Sequence, residues 1–213
     1  MKKTALIFTI VLFVFTALAQ DQKAKAILDK VSAKAKTFKT IYAEFTFTLD
    51  NQQEDISETY SGKLWSKGKK YKLELMGVIT YFDGITIWTY MKDAEEVNIS
   101  EQDEDDDEAL NPANIWTMHE TGFKYYYKKE TFEANRPLQY VDLIPKDLES
   151  EYSRIRLKID KSKNMVYSMK RYGKDGNIYT IKVQKYDTNK PYTDSLFKFN
   201  KTKFPNVEIN DLR

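Results

Sequence analysis

From Ile41 onward the apolar residues recur with a period of two, and no other feature restricts the fold of this 213-residue chain as strongly. Phe45, Phe47 and Leu49 alternate with Glu44, Thr46 and Thr48, the pattern of a strand with one wet face. The same alternation returns at Tyr71, Leu73 and Leu75, at Phe123, Tyr125 and Tyr127, and at Ile155, Leu157 and Ile159. Residues 85–90 and 139–144 read as further strands. Two more, 165–171 and 178–186, are joined by the turn residues Gly173-Lys174-Asp175-Gly176-Asn177, and Phe197 with Phe199 gives a last short one. Strands in this sequence with tight turns build a large antiparallel sheet or a partly closed barrel. Helices do not alternate with them, so a parallel sheet is excluded, and one domain accounts for the whole pattern.

Before Ile41 the period is helical. Ala24, Ile27, Leu28, Val31, Ala35 and Phe38 fall on one face behind a capping Asp21, with lysines on the other. Further upstream, Met1-Lys2-Lys3 precedes an uncharged stretch from Ala5 to Leu18, and Ala17-Leu18-Ala19 presents small residues where a signal peptidase cuts. Residues 1–19 therefore read as a cleaved export signal, too short for a comfortable membrane span, and residues 20–213 as the mature, soluble domain.

Export makes the absence of cysteine informative: no disulfide staples the fold, and the mature chain carries no thiol to be lipidated. Of the 34 basic residues only Lys2 and Lys3 go with the signal, leaving 32 against 32 acidic ones. A neutral balance offers nucleic acid or an anionic membrane no electrostatic attraction.

Catalytic chemistry finds little material here. His119 is the single histidine and no G-x-S-x-G elbow occurs, so it reads as a residue flanking a short helix. With no cysteine to help it, no transition-metal site is expected. The run EQDEDDDE at 101–108 holds Asp103, Asp105 and Asp107 at alternate positions but lacks the glycine of a calcium loop, and reads as a solvated loop. No phosphate-binding glycine loop is present. The expected catalytic residues, metals and cofactors are none. A hydrolase using paired carboxylates stays open as an alternative, since sequence does not show their separation.

What remains is apolar. Asn111 to His119 reads as a short amphipathic helix with Pro112 at its first position, placed between strands as a lid would be. A curved single-layer sheet that few helices fill would leave an apolar cavity. Its candidates are Phe45, Phe47, Leu64, Trp65, Tyr71, Leu73, Leu75, Ile87, Trp88 and Tyr90, with Ile115, Trp116 and Met118 in the lid. Alternation puts Leu64 opposite Trp65, and Ile87 opposite Trp88, so they cannot all share one face.

Gly62-Lys63-Leu64-Trp65, then Asp83-Gly84 followed by Trp88 and Tyr90, resembles the outer-membrane lipoprotein carrier (LolA) family. Pro112 with its neighbours is similar to that family's lid-helix start, and Phe197, Phe199 and Pro205 to its C-terminal ending. The resemblance runs in order through the whole mature chain. It implies a mainly β fold: an unclosed antiparallel β-barrel, with an N-terminal helix and short lid helices over an apolar cavity. It also implies a monomeric periplasmic carrier, not an enzyme. Such a carrier takes acylated lipoproteins from an inner-membrane ABC exporter towards the outer membrane, where the sequence names no acceptor. A lipoprotein-sensing regulator of the same fold is the alternative from another class. One departure stands out: the arginine that latches the family's lid aligns with Gly68, leaving Lys67 and Lys69 as possible substitutes.

Overall fold

The computed structural model describes residues 22–102 and 115–213. Residues 22–36 form helix α1, as the spacing predicts. Six strands follow it: β1 (Ile41–Asn51), β2 (Ile56–Lys67), β3 (Lys70–Leu75), β4 (Val78–Phe82), β5 (Thr86–Met91) and β6 (Glu96–Glu101). After the segment at 115–120 come β7 (Phe123–Glu133), β8 (Arg136–Pro145), β9 (Tyr152–Asp160), β10 (Met165–Gly173) and β11 (Ile178–Thr188), and finally β12 (Glu208–Asp211). The expected export signal, the loop 103–108 and the start of the lid helix at Asn111 and Pro112 lie outside the described residues.

All twelve strands belong to one sheet, ordered β12-β6-β5-β4-β3-β2-β1-β11-β10-β9-β8-β7. Two antiparallel meanders, β1–β6 and β7–β11, are joined where β1 pairs with β11. The result is a single open, curved sheet, mainly β, with one N-terminal helix. Tight turns make the meanders possible. Met76-Gly77 and Ala134-Asn135 each hold two successive residues at positive φ, the mirror-type turn whose twist matches the flanking strands.

The sequence pattern places a last strand at Phe197 and Phe199, and there the structure differs. Asp194–Phe197 is a 3-10 turn, and Phe199 packs sideways against Tyr81 and Tyr90. The closing strand comes later, as β12 parallel to β6. Period-two spacing of two large residues cannot distinguish a strand from a segment laid across a sheet.

Cross-strand partners share a face, so the register divides the sheet residue by residue. Ile41, Ala43, Phe45 and Phe47 of β1 sit beside Ser66, Leu64, Gly62 and Tyr60 of β2. Tyr71, Leu73 and Leu75 continue this face into β3, and Phe82 and Ile87 into β4 and β5. On the other side it runs through Tyr186, Val183 and Ile181 of β11, then Met169, Leu157, Val141 and Tyr127. Ala24, Ile27, Leu28 and Val31 of α1 pack on this face and form one core with it; we call it the inner face. The outer face has its own smaller cluster, Ile79, Tyr81, Tyr90, Val97 and Val207, with Trp88, Phe199 and Phe204 packed against it.

The turn at Asp83-Gly84 belongs to the outer arrangement. Gly84 sits at φ +103, and Asp83 accepts from the N–H groups of Ile85 and Thr86 at 3.1 and 3.0 Å. Lys198 of the C-terminal segment reaches Asp83 at 3.2 Å. Burial pushes this carboxyl up, but the Thr86 N–H, the Lys198 ammonium and the Ile85 N–H outweigh it and hold it below the ordinary range. The turn and its lysine tie the tail across the sheet.

Candidate functional site

The inner face is unevenly covered. Beneath α1 the side chains are shut away: Ile41, Ala43, Leu64, Phe82, Val141 and Leu157 are buried. Further along the same strands Phe47, Leu73, Leu75, Met169 and Ile181 pack against that core yet keep part of their surface open. Phe47 leans on Tyr179, ring centres 6.1 Å apart. This half-open apolar floor is the candidate site.

Of the thirteen apolar candidates, the inner face and its cover bring together Phe45, Phe47, Leu64, Tyr71, Leu73, Leu75, Ile87, Ile115, Trp116 and Met118. Trp65, Trp88 and Tyr90 are placed elsewhere. Trp65 pairs with Tyr42 and Lys72 on the outer face, its ring 5.0 Å from that of Tyr42. Trp88 and Tyr90 lie opposite Tyr81 and Ile79, also outside, under the C-terminal segment. Their position corrects the expectation that they line a cavity. Large aromatics signal burial, and this sheet buries residues on both faces.

Of the remaining family-motif positions, Pro112 lies outside the described residues. Gly62 faces Phe45 across β1 and β2, and a β-carbon there would meet the Phe45 ring, with Cε2 only 2.6 Å away. Phe197 is wholly buried, Phe199 stacks on Phe204 at 5.3 Å, and Pro205 lies exposed just after the short turn Lys201–Lys203.

The expected lid is represented by a turn at 115–117 and a 3-10 turn at Met118–Glu120. It docks on α1. Ser32 Oγ donates to the Trp116 carbonyl at 3.3 Å and lies 3.1 Å from His119 Nε2, while Lys36 pairs with Glu120 at 2.7 Å. Trp116, Met118 and His119 are all buried there. Neither Lys67 nor Lys69 is placed as a substitute for the missing arginine. Lys67 donates to the Tyr192 carbonyl and to Asp194, and Lys69 is exposed beside Gly68. With Lys67 and Lys70 both upon it, the Asp194 carboxyl is held down to about 2. Nothing in the sequence marks Ser32 as a partner; the residues lie 87 positions apart.

A serine beside a histidine invites a catalytic reading, which the geometry opposes. Both side chains are buried, and the serine proton faces a backbone carbonyl instead of the histidine. Ser32 has one proton and two neighbours, so the pair suits a neutral imidazole carrying its own proton on Nε2. Burial holds the His119 pKa below its usual value; Glu120 and Asp29 pull it up, Lys36 and Lys25 push it down. The docked turn thus favours the uncharged ring. Docking is fully supported above the unfolded histidine value of about 6.5 and is lost as the pH falls from there through the lowered one. The protection of the 115–120 amides, their hydrogen-exchange rate relative to that of an unstructured chain at the same pH, is expected to fall between pH 7.5 and 5 while the strands stay protected, and His119→Gln to flatten that dependence. Unchanged protection across this range would remove His119 from the docking.

Among the described residues the carboxyls that depart from the ordinary range, Asp83, Glu120, Glu130, Glu133, Asp175, Asp194 and Asp211, all lie below it. A general acid needs the opposite displacement. Among the described residues no group of histidine and carboxylates is arranged to hold a metal, and no helix is long and apolar enough to cross a membrane.

The family model described as outer membrane lipoprotein carrier protein LolA matches residues 36–200. No curated relative matches the sequence. Among solved structures, an uncharacterised conserved protein from Thermus thermophilus superposes with a TM-score of 0.56 at 13% identity, covering 89% of this chain and 99% of its own. A LolA superfamily protein from Nitrosomonas europaea gives 0.44 at 11%, covering 83% and 97%. The Mycobacterium tuberculosis lipoprotein LppX gives 0.48 at 11%, covering 79% and 98%.

Proposed function

The chain belongs to the outer membrane lipoprotein carrier (LolA) family, and from that premise we propose that it is a periplasmic carrier for the acyl chains of lipoproteins. The observation that carries this reading is the half-open apolar floor around Phe47, Leu73, Leu75, Met169 and Ile181, continuous with the core yet partly exposed. An acyl chain exposed to water is penalised by about 0.8 kcal/mol per CH₂, so it crosses an aqueous compartment only inside a cover. Methionine and aromatic side chains suit a guest of loose shape.

The 115–120 turn, docked through Ser32 and Lys36, acts as the lid. Opening it breaks the polar contacts at Ser32 and Lys36 and uncovers Trp116 and Met118, an apolar cost that cargo on the inner face offsets. Energy for loading comes from an inner-membrane ABC exporter, so the carrier itself needs neither a nucleotide site nor a catalytic residue. The lysines, apolar stretch and small residues of positions 1–19 are the export signal that takes it there.

The test uses the exported protein and spheroplasts of its own host. Added to them, it is expected to bring newly made lipoproteins into solution as one-to-one complexes, visible by native mass spectrometry. Lipoproteins that stay with the membrane, beside a protein of bare apo mass, would overturn the reading.

A further inference from the structure

Trp116 is 3% exposed, and its indole Nε1 has no hydrogen-bond partner. An indole N–H can only donate, and a buried donor left unmade is costly enough to require an explanation. The Tyr186 hydroxyl acts on the indole without reaching hydrogen-bond geometry. Its own proton goes to the Val166 carbonyl at 2.7 Å. Trp116 is also the only one of the three tryptophans on the inner side, since Trp65 and Trp88 face outward.

The surroundings select the missing acceptor. Trp116 packs into the apolar core beside Tyr186, and the polar side chains around it, Ser32, His119 and Tyr186, are neutral when docked. The cations of the neighbourhood, Lys36 and Lys25, are paired with Glu120 and Asp29 on the exposed rim. A carboxylate or phosphate would find no counter-charge at the indole, and an alkyl chain offers no acceptor. A neutral carbonyl fits both conditions. On an acylated guest that carbonyl is the ester at the head of the chain.

We propose that Trp116 Nε1–H donates to the ester carbonyl of the bound acyl chain, setting how deep the chain enters and favouring ester-linked over ether-linked chains. This rests on the reading of the inner face as an acyl site.

The test compares dipalmitoylglycerol with its dihexadecyl ether counterpart, the same chains without carbonyls, on the whole exported protein. The wild type is expected to bind the ester about fivefold more tightly, the worth of one net hydrogen bond. Trp116→Phe is expected to abolish the difference, ester and ether binding alike in that variant. A second measurement does not depend on that variant folding. The Trp116 indole N–H resonance, identified by its persistence in Trp65→Phe and Trp88→Phe, is expected to move downfield with the ester and not with the ether. Equal affinities in the wild type, or an ester preference that survives Trp116→Phe, would overturn the role of Trp116 while leaving acyl binding intact. Failure of both probes to bind the wild type would instead remove the acyl site, and the proposal with it.

Discussion

Phe47→Glu is expected to leave the protein folded and to weaken acyl binding by a hundredfold or more. Phe47 lies on the inner face, partly open, so a glutamate there reaches water in the empty protein and the strand pairing of β1 survives. Cargo changes the balance. Three methylenes that lose their contact account for roughly 2.5 kcal/mol, and a carboxylate buried by the guest without a partner adds to that. Together they exceed the ~2.7 kcal/mol that a hundredfold corresponds to. Trp65→Ala supplies the contrast. Trp65 is at least as large and as aromatic, but it packs at a tilt against Tyr42 under Lys72 on the outer face, so its loss is expected to cost stability and leave binding within about twofold. Binding of a fluorescent acyl probe, read beside thermal unfolding, checks both. If Trp65→Ala lost binding while Phe47→Glu kept it, the faces would carry the opposite roles.

Gly62→Val is expected to destabilise the fold by about 2 kcal/mol, against the usual preference of strands for β-branched residues. Propensity alone favours valine here by something under ~1 kcal/mol. Opposing it, the Phe45 ring occupies the space above Gly62, with Cε2 and Cε1 at 2.6 and 3.0 Å from where a β-carbon would stand. Phe45 is buried and shares its surroundings with Leu64, Val183 and α1, so the ring has little freedom to withdraw. The clash wins. The same reasoning predicts that Phe45→Ala, costly alone at about 3 kcal/mol or more, is partly compensated by Gly62→Val, because valine fills space the ring vacates. Denaturant unfolding of the two single variants and the double variant measures the coupling. Strictly additive losses would mean that the two side chains do not meet.

Gly62 and the tryptophans show how the residues that betray a family relate to the residues that do its work. Gly62, Asp83, Gly84, Trp88, Tyr90 and Phe199 stand out in the sequence because their requirements are strict: a ring with no room beside it, a positive φ, a tail to be pinned. The apolar floor makes no such demand. Any combination of Phe, Leu, Ile and Met of sufficient area serves a flexible chain, so Leu73, Met169 and Ile181 look like ordinary core residues in the sequence.

By itself the sequence determined the helix at the start, the antiparallel β-architecture and the absence of thiol chemistry. These follow from periodicity and composition, which local stretches of chain express without knowing their neighbours. Which strand face turned inward was open, because a period of two names two faces and prefers neither. The tertiary structure decided that question by seating α1 on one face and the C-terminal segment on the other. It also decided how the 115–120 turn is held. Ser32 and His119 are 87 residues apart and meet only because α1 and the 115–120 turn lie against the same sheet. A contact of that kind belongs to the folded path of the chain, and no local pattern encodes it.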